Sequence, residues 1–190
     1  MGRHTLTSRT GRVFTGVLAL LILLGLRAST DLVRDVSLAV ALVSGSALVL
    51  WRPRATVSDQ GIEIINPLRR YTIAWQSIQR IDTRWSLQLY LENEVIAVHA
   101  GASPGRHSSF FASADRGTHL PESTYDRGTI RPGDLIGTES GDLAAITRRF
   151  WEAHRGDPGD PVVQKAWDRI GVSLGLVCAA TALAAAVLTF

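Results

Sequence analysis

Residues 55–78 read ATVSDQGIEIINPLRRYTIAWQSI, and this stretch decides the architecture of the polar part of the chain. Apolar and polar residues alternate in short runs, and each run ends on a turn-forming group, the signature of antiparallel strands and not of helix. Ala55 to Ser58 reads as a first strand, Asp59-Gln60-Gly61 as a turn and Ile62 to Asn66 as a second strand. Asn66-Pro67-Leu68 turns the chain again, and Arg70 to Trp75 forms a third strand. Asp59 and Gly61 supply the tight turn, and Trp75 is large enough to plug a small core where the third strand ends. All three read as scaffold.

The alternation continues downstream. Ile78 to Arg84 reads as a fourth strand, and Trp85 to Leu91 as a fifth with Trp85, Leu87, Leu89 and Leu91 on one face. Val95 to His99 is a sixth, after the hairpin loop Glu92-Asn93-Glu94. Residues 101–141 hold Pro104, Pro121, Pro132 and seven glycines, so they read as a long loop without core pattern. From Asp142 a helix is expected to about residue 155, with Leu143, Ile146 and Phe150 on one stripe. Arg148, Arg149 and Arg155 lie toward its C-terminal end, where the helix dipole favours cations. Pro and Gly then mark residues 156–169 as a linker.

Outside this domain the sequence is apolar. Ile170 to Phe190 is 21 residues without a charge, roughly 31 Å of helix and about the thickness of a bilayer's hydrocarbon core. Val13 to Leu26 and Val36 to Trp51 are shorter, 14 and 16 residues. Flanking arginines that snorkel, and extension through Ala28 to Thr30, make them a membrane hairpin turning near Asp31. Trp51 stands where an interfacial aromatic belongs. A rival reading takes residues 1–29 as a secretory signal, but Arg27 and the second apolar run argue for the hairpin. Arg3, Arg9 and Arg12 precede the first span, Arg52 and Arg54 follow the second, and Arg155, Lys165 and Arg169 precede the third. The positive-inside rule then places the domain and the N-terminus in the cytoplasm and the C-terminus outside, in an inner or plasma membrane. Gly171, Gly175 and Ala179 form a small-residue strip on the last helix, against which either the chain's own hairpin or a second copy can pack.

The expected organisation is therefore a cytoplasmic tail over 1–12, a helical hairpin over 13–51, a globular domain over 52–155, a linker over 156–169 and a third span over 170–190. The fold class is an α+β membrane protein with a small antiparallel barrel or sandwich closed by one C-terminal helix. Val57-Ser58-Asp59-Gln60-Gly61-Ile62, then Asn66, then Ile73-Ala74-Trp75-Gln76-Ser77-Ile78 with Ile81, resembles the bacterial pleckstrin-homology-like (PH-like) domains. The nearest type is the actinobacterial low molecular weight protein antigen 6 family, in which a helical hairpin precedes the domain. The likeness extends over residues 36–100 and more loosely over 142–155. It implies a PH-like domain and a non-enzymatic role in interaction or scaffolding.

The remaining chemistry points the same way. The chain has 20 Lys plus Arg against 17 Asp plus Glu, a mild +3 that gives no argument for nucleic acid. Lys165 is the sole lysine, and Cys178 the sole cysteine, inside an apolar run. Gly101-Ala102-Ser103-Pro104-Gly105 matches the pattern of a nucleophile elbow, yet Pro104 has no N–H for an oxyanion hole. His99, His107, His119, Asp115 and Asp126 fit no metal-ligand spacing. Neither cofactor nor metal is expected. One group of polar residues suits a binding role, since Arg52, Arg54, Arg69, Arg70, Arg80 and Arg84 could meet anionic headgroups or an anionic partner, or simply be solvated. The leading expectation is a membrane-anchored module that contacts a protein partner or its own copies. The alternative is an accessory subunit of an envelope transport or secretion complex, in which the helices carry the role.

Overall fold

The computed structural model describes residues 2–83, 86–100, 125–126, 129–130 and 139–189. Arg84, Trp85, the Gly101–Gly105 pattern, His107, Asp115 and His119 lie outside them. The architecture is α+β, with two antiparallel sheets, a helix that closes them, and three helices long and apolar enough to cross a membrane.

Five strands form the larger sheet: β1 (His4–Thr7), β2 (Arg54–Ser58), β3 (Gly61–Ile65), β4 (Arg69–Ala74) and, at the far edge, β10 (Val163–Trp167), in the order β1-β2-β3-β4-β10. The smaller sheet holds β5 (Arg80–Asp82), β6 (Gln88–Tyr90) and β7 (Val95–Ala97). A separate two-residue pair, β8 (Tyr125–Asp126) with β9 (Thr129–Ile130), falls inside the segment expected as loop, and places Asp126 on a strand. Strands four to six of the sequence reading are present as β5, β6 and β7, and a 3-10 turn at Trp75–Ser77 carries the chain from one sheet to the other.

Two edge strands come from segments expected to be tail and linker. β1 pairs with β2 in the register His4↔Val57 to Thr7↔Arg54, and β10 pairs with β4 from Val163↔Ile73 to Trp167↔Arg69. Their alternation is real but brief. Leu6 and Val163 turn toward the core and pack on it, while Thr5 meets Thr56 on the outer face at 3.1 Å between hydroxyl oxygens. Each strand is too short to pair alone and is held by its neighbour's ladder and one apolar anchor.

The core lies between the sheets. Ala55, Val57, Ile62, Ile64 and Ile73 from one sheet meet Ile78, Leu87, Leu89, Leu91, Ile96 and Val98 of the other, with Trp75 at the corner. Asn66 joins the sheets with a single side chain: its Nδ2 donates to the Ala97 carbonyl at 2.8 Å, and its Oδ1 accepts from the His99 N–H at 3.1 Å. Helix α3 (Glu139–His154) covers the open side through Leu143 and Ala144, both fully buried, and through Ile146, Phe150 and Trp151. It starts three residues before the expected Asp142. The Trp151 indole donates to the Ile78 carbonyl at 3.0 Å, and Arg148 donates to the buried Thr83 hydroxyl at 2.8 Å.

Gly61 shows why Asp59-Gln60-Gly61 turns there. Its φ is +152°, and a Cβ would stand 2.2 Å from the Ile73 carbonyl oxygen, so only glycine closes the β2–β3 turn against β4.

The first two long apolar helices exceed the apolar runs of the sequence, while the third starts one residue before its run and ends at Val187. Arg9–Ala28 and Leu32–Trp51 each reach 20 residues, and Arg169–Val187 reaches 19. The first comprises α1 (Arg9–Gly25) and a 3-10 turn; the second comprises α2 (Leu32–Ser46) and a π turn at Ala47–Trp51; the third is α4 (Arg169–Val187). Asp31 caps α2 by accepting from the Arg34 N–H, which fixes the hairpin turn at the expected place.

Helix α4 packs on α2 of its own chain. Cys178 donates to the Ala41 carbonyl, 3.3 Å from sulfur to oxygen, and a Cβ at Gly45 would lie 3.2 Å from the same sulfur. That spacing is close to the reach of a cysteine Cβ to its partner's sulfur across a disulfide. Gly45→Cys is therefore expected to cross-link to Cys178 within one chain under mild oxidation. On a non-reducing gel the product should run as a monomer with altered mobility. A product at dimer mass would instead assign the α2–α4 contact to two copies.

Candidate functional site

The register sets where the helices leave the domain. β1 ends at Thr7 and α1 begins at Arg9; α2 and its π turn end at Trp51 and β2 begins at Arg54; β10 ends at Trp167 and α4 begins at Arg169. Thr7, Arg54, Ile65, Arg70 and Trp167 are brought to the same end of the sheet by pairing. All three spans thus depart from one end of the domain through junctions of one or two residues. Such connections are stiff, in contrast to a flexible tether.

Polar side chains lock those junctions. Ser8 caps α1 by accepting from the Gly11 N–H at 2.9 Å, and the Glu139 carboxylate accepts from the N–H groups of Arg9 and Thr10 at 2.6 and 3.0 Å. The covering helix α3 is thereby tied to the start of the first span, where a carboxylate also suits the helix dipole. Asp168 caps α4, accepting from the Gly171 N–H at 2.7 Å, and its own N–H donates to the Leu68 carbonyl at 2.9 Å. The same Asp168 oxygen receives the Arg52 guanidinium through Nε and a terminal nitrogen. Both partners are largely buried, with 15% and 9% of their side chains exposed, so the pair is a strut between the second and third spans.

The six arginines singled out in the sequence do not form one cluster. Arg52 is spent on Asp168. Arg70 pairs with Glu63 on the outer face of the larger sheet, where Arg3 also reaches Glu63 at 3.5 Å. Arg80 lies over the Tyr90 ring, 3.9 Å from its centroid, on the other sheet. Arg84 is outside the described residues. Arg54 and Arg69 alone among the six are exposed at the helix-bearing end with no ion pair among the described residues.

Sequence reasoning singled out Trp51 but missed Trp167 and Leu68. Trp167 is 62% exposed and Leu68 is 42% exposed, and with Trp51, 47% exposed, they ring the level at which the spans begin. The Arg69 guanidinium lies 4.6 Å from the centroid of the Trp167 ring. Exposed tryptophans beside a span mark the headgroup level of a bilayer. The signal was present in Trp167-Asp168-Arg169, an aromatic and two charges directly before an apolar run.

The small-residue strip divides. Gly171 abuts the Pro67 carbonyl in the β3–β4 turn, and Gly175 faces Leu68 and Leu48, while Ala179 is exposed. Gly171 therefore seats α4 on the domain, Gly175 meets the π turn at Leu48, and contact with α2 runs through Cys178.

The outer face of the larger sheet is open. Thr56, Ser58, Glu63, Thr72 and Arg3 line a shallow cavity of about 520 Å³ there, with the Glu63 carboxylate already engaged by two arginines. No group of three or more His, Cys, Asp or Glu able to hold a metal occurs among the described residues.

Residues 52–132 match the family model of the bacterial PH domain. The matched segment begins where the second span ends and stops short of α3, so β1, α3, β10 and the three long helices lie outside it. No curated protein and no solved structure matches the chain.

Proposed function

We propose that this chain, which carries a bacterial PH domain at residues 52–132, is a non-enzymatic interaction module held rigidly at the cytoplasmic surface of a bilayer. The observation that carries this reading is the direct passage of β1 and β10 into α1 and α4. Strands on both edges of the larger sheet become anchors, so the domain is oriented by three junctions instead of hanging from one. An oriented domain offers a fixed surface to partners, which suits a scaffold.

Charge supports the sidedness. Arg3, Arg9, Arg12, Arg52, Arg54, Lys165 and Arg169 stand at the domain end of the spans, whereas Arg27 and Arg34 share the α1–α2 turn with Asp31 and Asp35. The excess of basic residues at the domain end supports a cytoplasmic placement. In this arrangement the tail and linker are parts of the domain, and residues 1–12 and 156–169 stay on its side of the membrane.

Among the described residues, the outer face of the larger sheet is a surface open to a protein partner, since its inner face is core and its helix-bearing end meets lipid. A photoreactive residue at the exposed Thr72 tests this in native membranes, with a second at the exposed Leu183 on α4. The interaction-module reading expects protein adducts from Thr72, either as multiples of 20.6 kDa or with a partner. Adducts from Leu183 alone would favour the accessory subunit whose helices carry the role. Lysine-directed reagents suit this test poorly, because Lys165 is the sole lysine and pairs with Glu94 at 2.6 Å.

A further inference from the structure

We infer that Arg69, Trp167 and Arg169 form a seat for the headgroup of one anionic phospholipid of the leaflet beside the domain. The inference rests on the membrane-anchored reading above and goes beyond it by naming residues and ligand chemistry. None of Trp167, Arg169 or the groove below belongs to the matched domain segment.

The groove is bounded by Trp167, Arg169, Val172 and Ser173 and has a volume of about 480 Å³. Arg169 opens α4, and Val172 and Ser173 follow within about one turn, so a charged side chain stands beside a lining that is mainly apolar. Arg69 stands beside the groove on the neighbouring strand, where it pairs in register with Trp167, and its guanidinium lies over the indole. A guanidinium held over an aromatic face keeps N–H groups to donate, which is how arginine binds phosphate beside an aromatic ring.

Charge complementarity selects the occupant. Arg69 and Arg169 are exposed and have no carboxylate partner among the described residues. The nearest acidic group in sequence, Asp168, is buried, and its carboxylate is committed to Arg52 and to the Gly171 N–H, so it leaves the charge of Arg169 unneutralised. Two such guanidiniums beside an exposed tryptophan, at the first turn of a span, match a phosphate diester whose acyl chains run down α4. A zwitterionic lipid offers the same phosphate with a cation attached and is disfavoured by both arginines.

The test uses the full chain purified in mild detergent, with phosphatidylglycerol or phosphatidylcholine added and bound lipid counted by native mass spectrometry. Each basic residue at an anionic surface contributes ~1 kcal/mol, about fivefold at about 1.4 kcal/mol per tenfold. Wild-type chain is therefore expected to retain phosphatidylglycerol over phosphatidylcholine by about 25-fold. The Arg69→Gln, Arg169→Gln double variant should lose that preference, and Arg80→Gln, on the other sheet, should keep it. Equal retention of both lipids by wild type, or an unchanged preference in the double variant, would overturn the seat. So would displacement of the lipid by glycerol phosphate, which assigns the arginines to a soluble anion. A parallel wash of cell membranes with alkaline carbonate separates this from failure of the anchoring itself. Chain retained in the pellet with no lipid preference refutes the seat alone, whereas chain released by the wash refutes both.

Discussion

Trp75→Ala is expected to remove about 3–5 kcal/mol of folding stability from the domain, a large share of the roughly 5–15 kcal/mol typical of a small domain. The indole is 1% exposed and sits where the chain leaves the larger sheet for the smaller one. It stacks on Phe150 of α3 at 6.4 Å between ring centroids, and Phe150 in turn meets His4 of β1 edge-on at 5.8 Å. Its Nε1 donates to the Ser58 carbonyl at 2.9 Å, at the end of β2. Truncation therefore opens a cavity, leaves that carbonyl without its donor, and unseats the covering helix and the first edge strand together. Thermal unfolding in detergent, followed by near-ultraviolet circular dichroism, reads the loss, while far-ultraviolet signal from the three long helices should persist. Trp75→Phe, which keeps most of the ring but not the N–H, is expected to cost about 1–3 kcal/mol. If Trp75→Ala melted within a degree or two of wild type, the placement of the core would be wrong.

What could be read beforehand follows from where the determinants of each feature lie. The inner strands of the larger sheet, the Asp59–Gly61 turn and Trp75 were legible because alternation, turn chemistry and a large apolar side chain are all local in sequence. The three long apolar helices were legible from composition, though their true length depends on capping. Ser8, Asp31 and Asp168 start helices that hydropathy alone places later or leaves open. β1 and β10 were missed for a different reason. HTLT and VQKAW are four and five residues long, one near the N-terminus and one after Pro161, and only the ladders of β2 and β4 make them strands. The arginines show the same limit at the level of the site. Nothing near Arg52 announces that its partner is Asp168, 116 positions away, nor that Arg70 is committed to Glu63. Charge counted along the sequence overstates what is available, because ion pairs are tertiary. Trp167 is the opposite case, since an aromatic directly before a long apolar run has a physical meaning that needs no structure.

The two glycines of α4, equivalent as a sequence pattern, are expected to respond in opposite ways to alanine. A Cβ at Gly171 would stand 1.9 Å from the Pro67 carbonyl oxygen and 2.8 Å from the Asp168 carboxylate, and the first of these is backbone that cannot rotate aside. A Cβ at Gly175 meets Leu68 and Leu48 methyl carbons at 3.6 and 3.7 Å, ordinary contact. Gly171→Ala must therefore lift the first turn of α4 from the β3–β4 turn, stretching the Asp168 cap and the Arg52 ion pair with it. Overpacking of this kind costs about 1–3 kcal/mol, and more where backbone must move; breaking a buried ion pair adds further loss on the order of 3 kcal/mol. Gly175→Ala changes stability by less than about 1 kcal/mol, with helix propensity favouring alanine. The Gly45→Cys to Cys178 cross-link supplies a direct measure, because it reports where α4 lies against α2. Its rate should fall severalfold in the Gly171→Ala background and hold in Gly175→Ala. Equal rates in the two would mean that α4 is positioned by its contact with α2 alone, and that the domain is fixed to two spans instead of three.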